Sequence, residues 1–93
     1  MIRKRLTFIG RVQGVGFRYR AFYAALDLNL TGWVMNNWDG SVIMEVQGKE
    51  EEIDKLVIMI GKGTFVKIDK IDSKTIPLVE DERSFKIRHG EEY

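Results

Sequence analysis

Between Gly10 and Arg18 the chain reads GRVQGVGFR, a stretch whose residue types suit the gripping of an anion. Closely spaced glycines let backbone amides curl inward, and a helix starting behind them adds the positive potential of its amino end. The amides of Gln13, Gly14, Val15, Gly16, Phe17 and Arg18 form the candidate ring of donors. Arg18 adds a planar fork that bonds two phosphate oxygens at once and stays charged at any working pH, which a lysine cannot copy. The spacing does not fit the nucleotide loops. A Walker A loop requires GxxxxGK[ST], and a dinucleotide fingerprint requires a third glycine where this chain has Tyr19. On residue chemistry alone a second reading stays open, in which the glycines make only a tight strand-to-helix turn and Arg18 is a solvated charge.

A second constellation lies at Gly32 to Gly40, GWVMNNWDG. Asn36 carries both a donor and an acceptor, so it can hold a water in one orientation without changing charge, as in-line attack on phosphorus requires. It can equally be a turn-forming asparagine, and for the water-holding role Asn37 is as good a candidate on these grounds. Asp39 reads as a turn residue. His89 shares the phase of Phe85 and Ile87, which puts it at the edge of the core, and no base partner stands near it in sequence. With no cysteine and a single histidine, neither a disulfide framework, a thiolate metal site nor a histidine-rich metal cluster is expected.

Both constellations need elements to bring them together. From Arg5 to Val12 apolar residues alternate, Leu6 and Phe8 against Thr7 and Ile9, which predicts a strand. From Phe17 the period becomes helical, with Phe17, Ala21, Ala24, Ala25 and Leu28 on one stripe whose small residues suit close approach to a sheet. Asn29, tolerant of left-handed geometry, should end that helix. Gly32 to Asn36 and Ser41 to Gln47 read as a hairpin about the turn Asn37 to Gly40, with Val42, Met44 and Val46 sharing a face. Glu50 to Ile60 predicts an amphipathic helix on Ile53, Leu56, Val57 and Ile60, with three glutamates at its amino end where the helix dipole favours them. Val66 and Ile68 then alternate, and Ile71 stays in phase only if a one-residue bulge intervenes. A last strand is expected over Ser84 to His89. The order strand, helix, strand, strand, helix, strand, with one more strand at the end, is that of the split βαβ or ferredoxin-like plan, which by itself names no function.

GRVQGVGFR at Gly10 to Arg18, together with GWVxNxxDGxV at Gly32 to Val42, resembles the two sequence signatures of the acylphosphatase family, in the same order and at the usual separation. The similarity continues through VQG at Val46 to Gly48 and FKI at Phe85 to Ile87. The resemblance implies a ferredoxin-like α/β sandwich, with two helices on one face of an antiparallel sheet, that hydrolyses small acyl phosphates to a carboxylate and phosphate without a cofactor or metal. Carried onto matching positions, it implies Arg18 as the phosphate-binding arginine, Asn36 as the water-positioning asparagine, and the amides of Gln13 to Arg18 as the cradle.

Length and charge agree with a small enzyme of this kind. Ninety-three residues suffice for one domain, 1–93, with one core. Fifteen basic against 14 acidic residues leave a net charge of +1, so no overall field draws the chain to nucleic acid or to a membrane, and a bound anion must be held locally. The basic start, MIRKRLTFIG, leads into alternating residues, so neither a signal peptide nor a membrane span is expected and the cytoplasm is the expected location. The expected partner is the acyl phosphate alone, with the protein monomeric. Tyr19, Phe22, Tyr23 and Leu26 on the outer side of the first helix are the one stretch that suggests a dimer or partner surface. Competing readings are a non-catalytic anion- or RNA-binding module of the same fold, and a relative that handles carbamoyl phosphate inside a larger protein. An RNA-binding sheet should carry aromatic residues on a central strand, and Ser41 to Gln47 has none.

Overall fold

The computed structural model describes residues 1–89. Its elements follow in the order β1 (Ile2–Arg11), α1 (Phe17–Asp27), β2 (Thr31–Asn36), β3 (Val42–Gly48), α2 (Glu50–Gly61), β4 (Lys67–Ile76) and β5 (Phe85–Arg88). Among the described residues the strands form one sheet in the order β4-β1-β3-β2-β5. The ferredoxin-like plan expected from the element order is the one observed, with the additional strand at the sheet edge.

The alternation read in β1 reflects a sheet covered on one side. Leu6 and Phe8 are buried under the helices together with Val42, Met44 and Val46 of β3, and each pair stands in register, Leu6 opposite Met44 and Phe8 opposite Val42. The alanine stripe of α1 does what small residues allow: Ala21, Ala24 and Ala25 are buried, so the helix axis lies close to the strands. From α2, Ile53, Leu56 and Ile60 complete the same cluster. The first helix stops where the sequence predicts. Asn29 takes φ 55, the Asn29 amide bonds to Leu26 O and the Leu30 amide to Ala25 O, which is the paired arrangement of a Schellman ending.

Two features of the sheet differ from, or add to, the expectations. The sheet is mixed: β1, β2, β3 and β4 pair antiparallel, but β5 lies parallel to β2, Phe85 opposite Gly32 and Ile87 opposite Val34. Residues 77–84 link β4 at one edge to β5 at the other, and side chains fasten that segment to the sheet. Buried Arg3 bonds Glu82 at 2.7 Å and Glu45 at 3.0 Å, and Gln47 exchanges two bonds with the backbone of Val79, at 2.8 and 3.0 Å. Burial alone opposes the Arg3 charge, but hydrogen bonds and the charges of Glu82 and Glu45 outweigh it and hold the guanidinium above its ordinary pKa. In β4 the expected one-residue slip is present, since Ile9 faces Lys70 whereas Gly10 faces Ile68. Ile71 opposes Phe8 and so points to the helical side, yet it stays 37% exposed because β4 is the edge strand.

Candidate active site

The glycine loop is stretched between two buried anchors, Val12 at the end of β1 and Phe17 at the start of α1. Phe17 meets Phe8 edge-to-face with centroids 4.9 Å apart, which ties the helix start to the strand beneath it. Gly14 (φ 71) and Gly16 (φ 77) are both left-handed, and a Cβ at either would meet nothing within 4 Å. Their requirement is therefore for backbone freedom, not for space. Gly16 caps the helix, its carbonyl accepting the Arg20 amide at 3.0 Å, and the amides of the first helical turn have no intrahelical acceptor. Those amides, the loop and the side chain of Arg18 in the first turn stand on one side of a small cleft.

The other side is the end of β2. A cleft of about 190 Å³ is lined by Val12, Gly14, Gly16, Phe17, Arg18, Tyr19 and Asn36. Thus Arg18 and Asn36, 18 positions apart in sequence, share one cleft with the loop, because β1 and β2 flank β3, run in the same direction and finish at the same end of the sheet. Gln13 and Val15 belong to the loop without lining this cleft. The oxygen Oδ1 of Asn36 is buried and accepts no hydrogen bond from the protein. Leaving a buried acceptor unpaired costs about 1–3 kcal/mol. Asn37, equal to Asn36 on sequence grounds, is engaged otherwise: its amide bonds to Ser41 O at 2.8 Å and its Nδ2 to Ser41 Oγ at 3.3 Å, inside the turn.

Three contacts around the cleft escaped the sequence reading. The side chain of Gln13 reaches across to the hairpin turn, its Nε2 donating to Asn37 O at 2.7 Å and to Ser41 O at 2.8 Å. It stitches the loop to the hairpin that carries Asn36. Asp39 is the turn residue expected, and its Oδ1 accepts the Ser41 hydroxyl at 2.6 Å and the Ser41 amide at 2.9 Å. Those bonds, the hydroxyl's foremost, hold the Asp39 carboxyl below the usual carboxylate range. His89 is not at the edge of the core. It is exposed beyond the end of β5, with Nδ1 3.4 Å from Nη1 of Arg18. The parallel placement of β5 beside β2 is the reason, since it carries the chain toward the end of the sheet that holds the loop. No periodicity in the sequence reports that pairing.

The fold and cleft define a ferredoxin-like protein with a glycine-containing strand-to-helix loop beside a small cleft shared by Arg18 and Asn36. Comparison with known proteins narrows the class. The family model described as Acylphosphatase matches residues 4–87. An acylphosphatase of Geobacillus kaustophilus is 44% identical over 91 residues, 97% of each chain. The crystal structure of acylphosphatase from Bacillus subtilis superposes with a TM-score of 0.86 at 35% identity, covering 95% of this chain and 99% of that one. A structure of full-length HypF reaches a TM-score of 0.81 at 34% identity, over 95% of this chain but only 12% of that one. The chain belongs to the acylphosphatase family. Its activity is that of an acylphosphatase, a hydrolase.

Proposed function

We propose that this chain, as one domain spanning 1–93, hydrolyses the carboxyl-phosphate bond of small acyl phosphates by in-line attack of a water, with Arg18 and the amides of Gln13, Gly14, Val15, Gly16, Phe17 and Arg18 holding the phosphoryl group and Asn36 holding the water. The observation that carries the reading is the buried, unpaired Asn36 Oδ1 in the same cleft as Arg18 and the loop. On this reading that oxygen turns to accept from a water in the cleft, and the water keeps a lone pair free for phosphorus.

The chemistry asks little more of the protein. The leaving carboxylate belongs to an acid of pKa about 4, so it departs as a stable anion at neutral pH and no general acid is required. What remains is to gather charge on the phosphoryl oxygens, which a guanidinium and preorganised amides do, and to place the nucleophile. On this reading no metal or cofactor takes part, and a substrate phosphoryl oxygen takes the proton of the water. The protein acts as a monomer in the cytoplasm. No helix among the described residues is long and apolar enough to cross a membrane, in keeping with that location.

The test is release of phosphate from acetyl phosphate in the presence of a chelator, by the wild type and by Arg18→Lys. The wild type should turn over fully, and the variant should lose most activity together with its affinity for inorganic phosphate. Near-normal turnover by Arg18→Lys would remove Arg18 from the site.

A further inference from the structure

The phosphate cleft is too small for a whole acyl phosphate with a sizeable acyl group. At about 190 Å³ it suits a phosphoryl group and a water, whereas pockets that enclose organic ligands begin at about 300 Å³. A second, larger depression of about 410 Å³ opens beside it along the seam between α1 and α2. The two share Gly16 and Tyr19, so the groove adjoins the cleft at the start of α1. Tyr19, Tyr23 and Ala24 of α1, Met59 of α2 and Val15 of the loop supply its surface. Ala24 is small and buried, so most of the accessible groove surface comes from its larger neighbours. Tyr19 and Tyr23, one turn apart, are 63% and 62% exposed, an unusual outlay of aromatic surface beside a site for a small polar group. The remaining lining residues, Arg20 and Asp27, are of opposite sign, so the groove has no net charge with which to draw a second anion.

We propose that this groove is the acyl subsite, and that Tyr19 and Tyr23 make the protein select apolar acyl groups larger than acetyl. The inference rests on the phosphate reading of the cleft and extends it: with phosphorus held by the loop, the acyl carbon leaves past Tyr19 and its apolar chain lies on Tyr23, Ala24 and Met59. Tyr19 and Tyr23, two of the four residues that the sequence offered as a partner surface, are then substrate surface.

The experiment compares kcat/KM for hexanoyl phosphate and acetyl phosphate. Both leaving groups are alkanoates, so the ratio of the two values reports the groove rather than the chemistry, and any unfolded fraction cancels from it. A methylene fully removed from water is worth about fourfold, and a half-open groove that shelters part of the four added methylenes should favour hexanoyl phosphate by about tenfold. Tyr23→Ala and Met59→Ala should lower that ratio to about threefold or less. A fall in either variant supports the subsite. A wild-type ratio near one, or a ratio within twofold of wild type in both variants, overturns it. The phosphate reading is checked apart from this by Arg18→Lys on acetyl phosphate, whose acyl group is too short to use the groove. Retained activity there refutes the phosphate site whatever the ratio does.

Discussion

Gln13→Ala tests whether the cleft works because its two walls are tied together. The Gln13 side chain makes two hydrogen bonds from the loop to the hairpin turn, to Asn37 O and Ser41 O. Neither carbonyl is orphaned by truncation, because Asn37 O also accepts the Gly40 amide at 3.2 Å and Ser41 O the Asn37 amide at 2.8 Å. The loss is therefore that of two ordinary bonds at about 1 kcal/mol each, about 2 kcal/mol in all, without a further desolvation penalty. For a domain of this size that lowers Tm by about 8–16 °C. The kinetic effect should be separable from the stability effect. With the stitch removed, Asn36 is free to shift relative to Arg18, and a displacement of about 1 Å can lower turnover by about 100-fold. We expect kcat on acetyl phosphate to fall by about 10- to 100-fold at a temperature where the variant is fully folded. The inhibition constant for inorganic phosphate should change much less, because loop amides and Arg18 stay in place. Gln13→Glu should be worse in both respects, since an ionised carboxylate offers two carbonyls only further acceptors. Circular dichroism melts, steady-state kinetics and phosphate inhibition supply the three readings. A Gln13→Ala protein with wild-type Tm and wild-type kcat would show that the contact holds nothing in place. Loss of phosphate affinity with kcat preserved would show that Gln13 serves the anion and not the geometry.

Asn36→Ala should reduce kcat by about 100-fold or more while phosphate inhibition stays close to wild type, since its proposed partner is the water; the reverse pattern would make Asn36 a substrate-binding residue. Its effect on stability should be slight or favourable, because the buried Oδ1 has no protein partner to lose. Gly16→Ala should lower stability by about 1–2 kcal/mol through its left-handed φ of 77 alone, and Gly16→Asn should restore part of that; equal melting of the two variants would contradict a conformational cause. On acidification the Asp39 carboxyl should release a stabilising contribution. Its folded pKa lies below the unfolded value, so the contribution is complete above the unfolded value of about 4 and is lost as pH falls through the folded one. Urea titrations across that range should be steeper in pH for the wild type than for Asp39→Asn, and identical pH dependence would dismiss the Ser41 bonds as its source.

What could be read without the fold was whatever depends on near neighbours. Glycines at 14 and 16 meant left-handed backbone, alanines at 21, 24 and 25 a close-packed helix, Asn29 its end, and the interval between Ile68 and Ile71 a bulge; each follows from dihedral preference or periodicity within a few residues. Arg18 and Asn36 were likewise nameable, though the choice of Asn36 over Asn37 rested on resemblance and not on residue chemistry. Everything that required two distant segments to meet was decided by tertiary structure. Strand β5 lies parallel to β2, which brings His89 to Arg18 and not to the core edge. The Gln13 side chain reaches the hairpin turn, Asn37 is spent within that turn, and the groove beside Tyr19 is lined jointly by α1 and by Met59 of α2. Amino-acid pattern carries the period of an element and the side it buries, but the edge a strand joins, and what a polar side chain finds there, depends on the packing of the whole sheet.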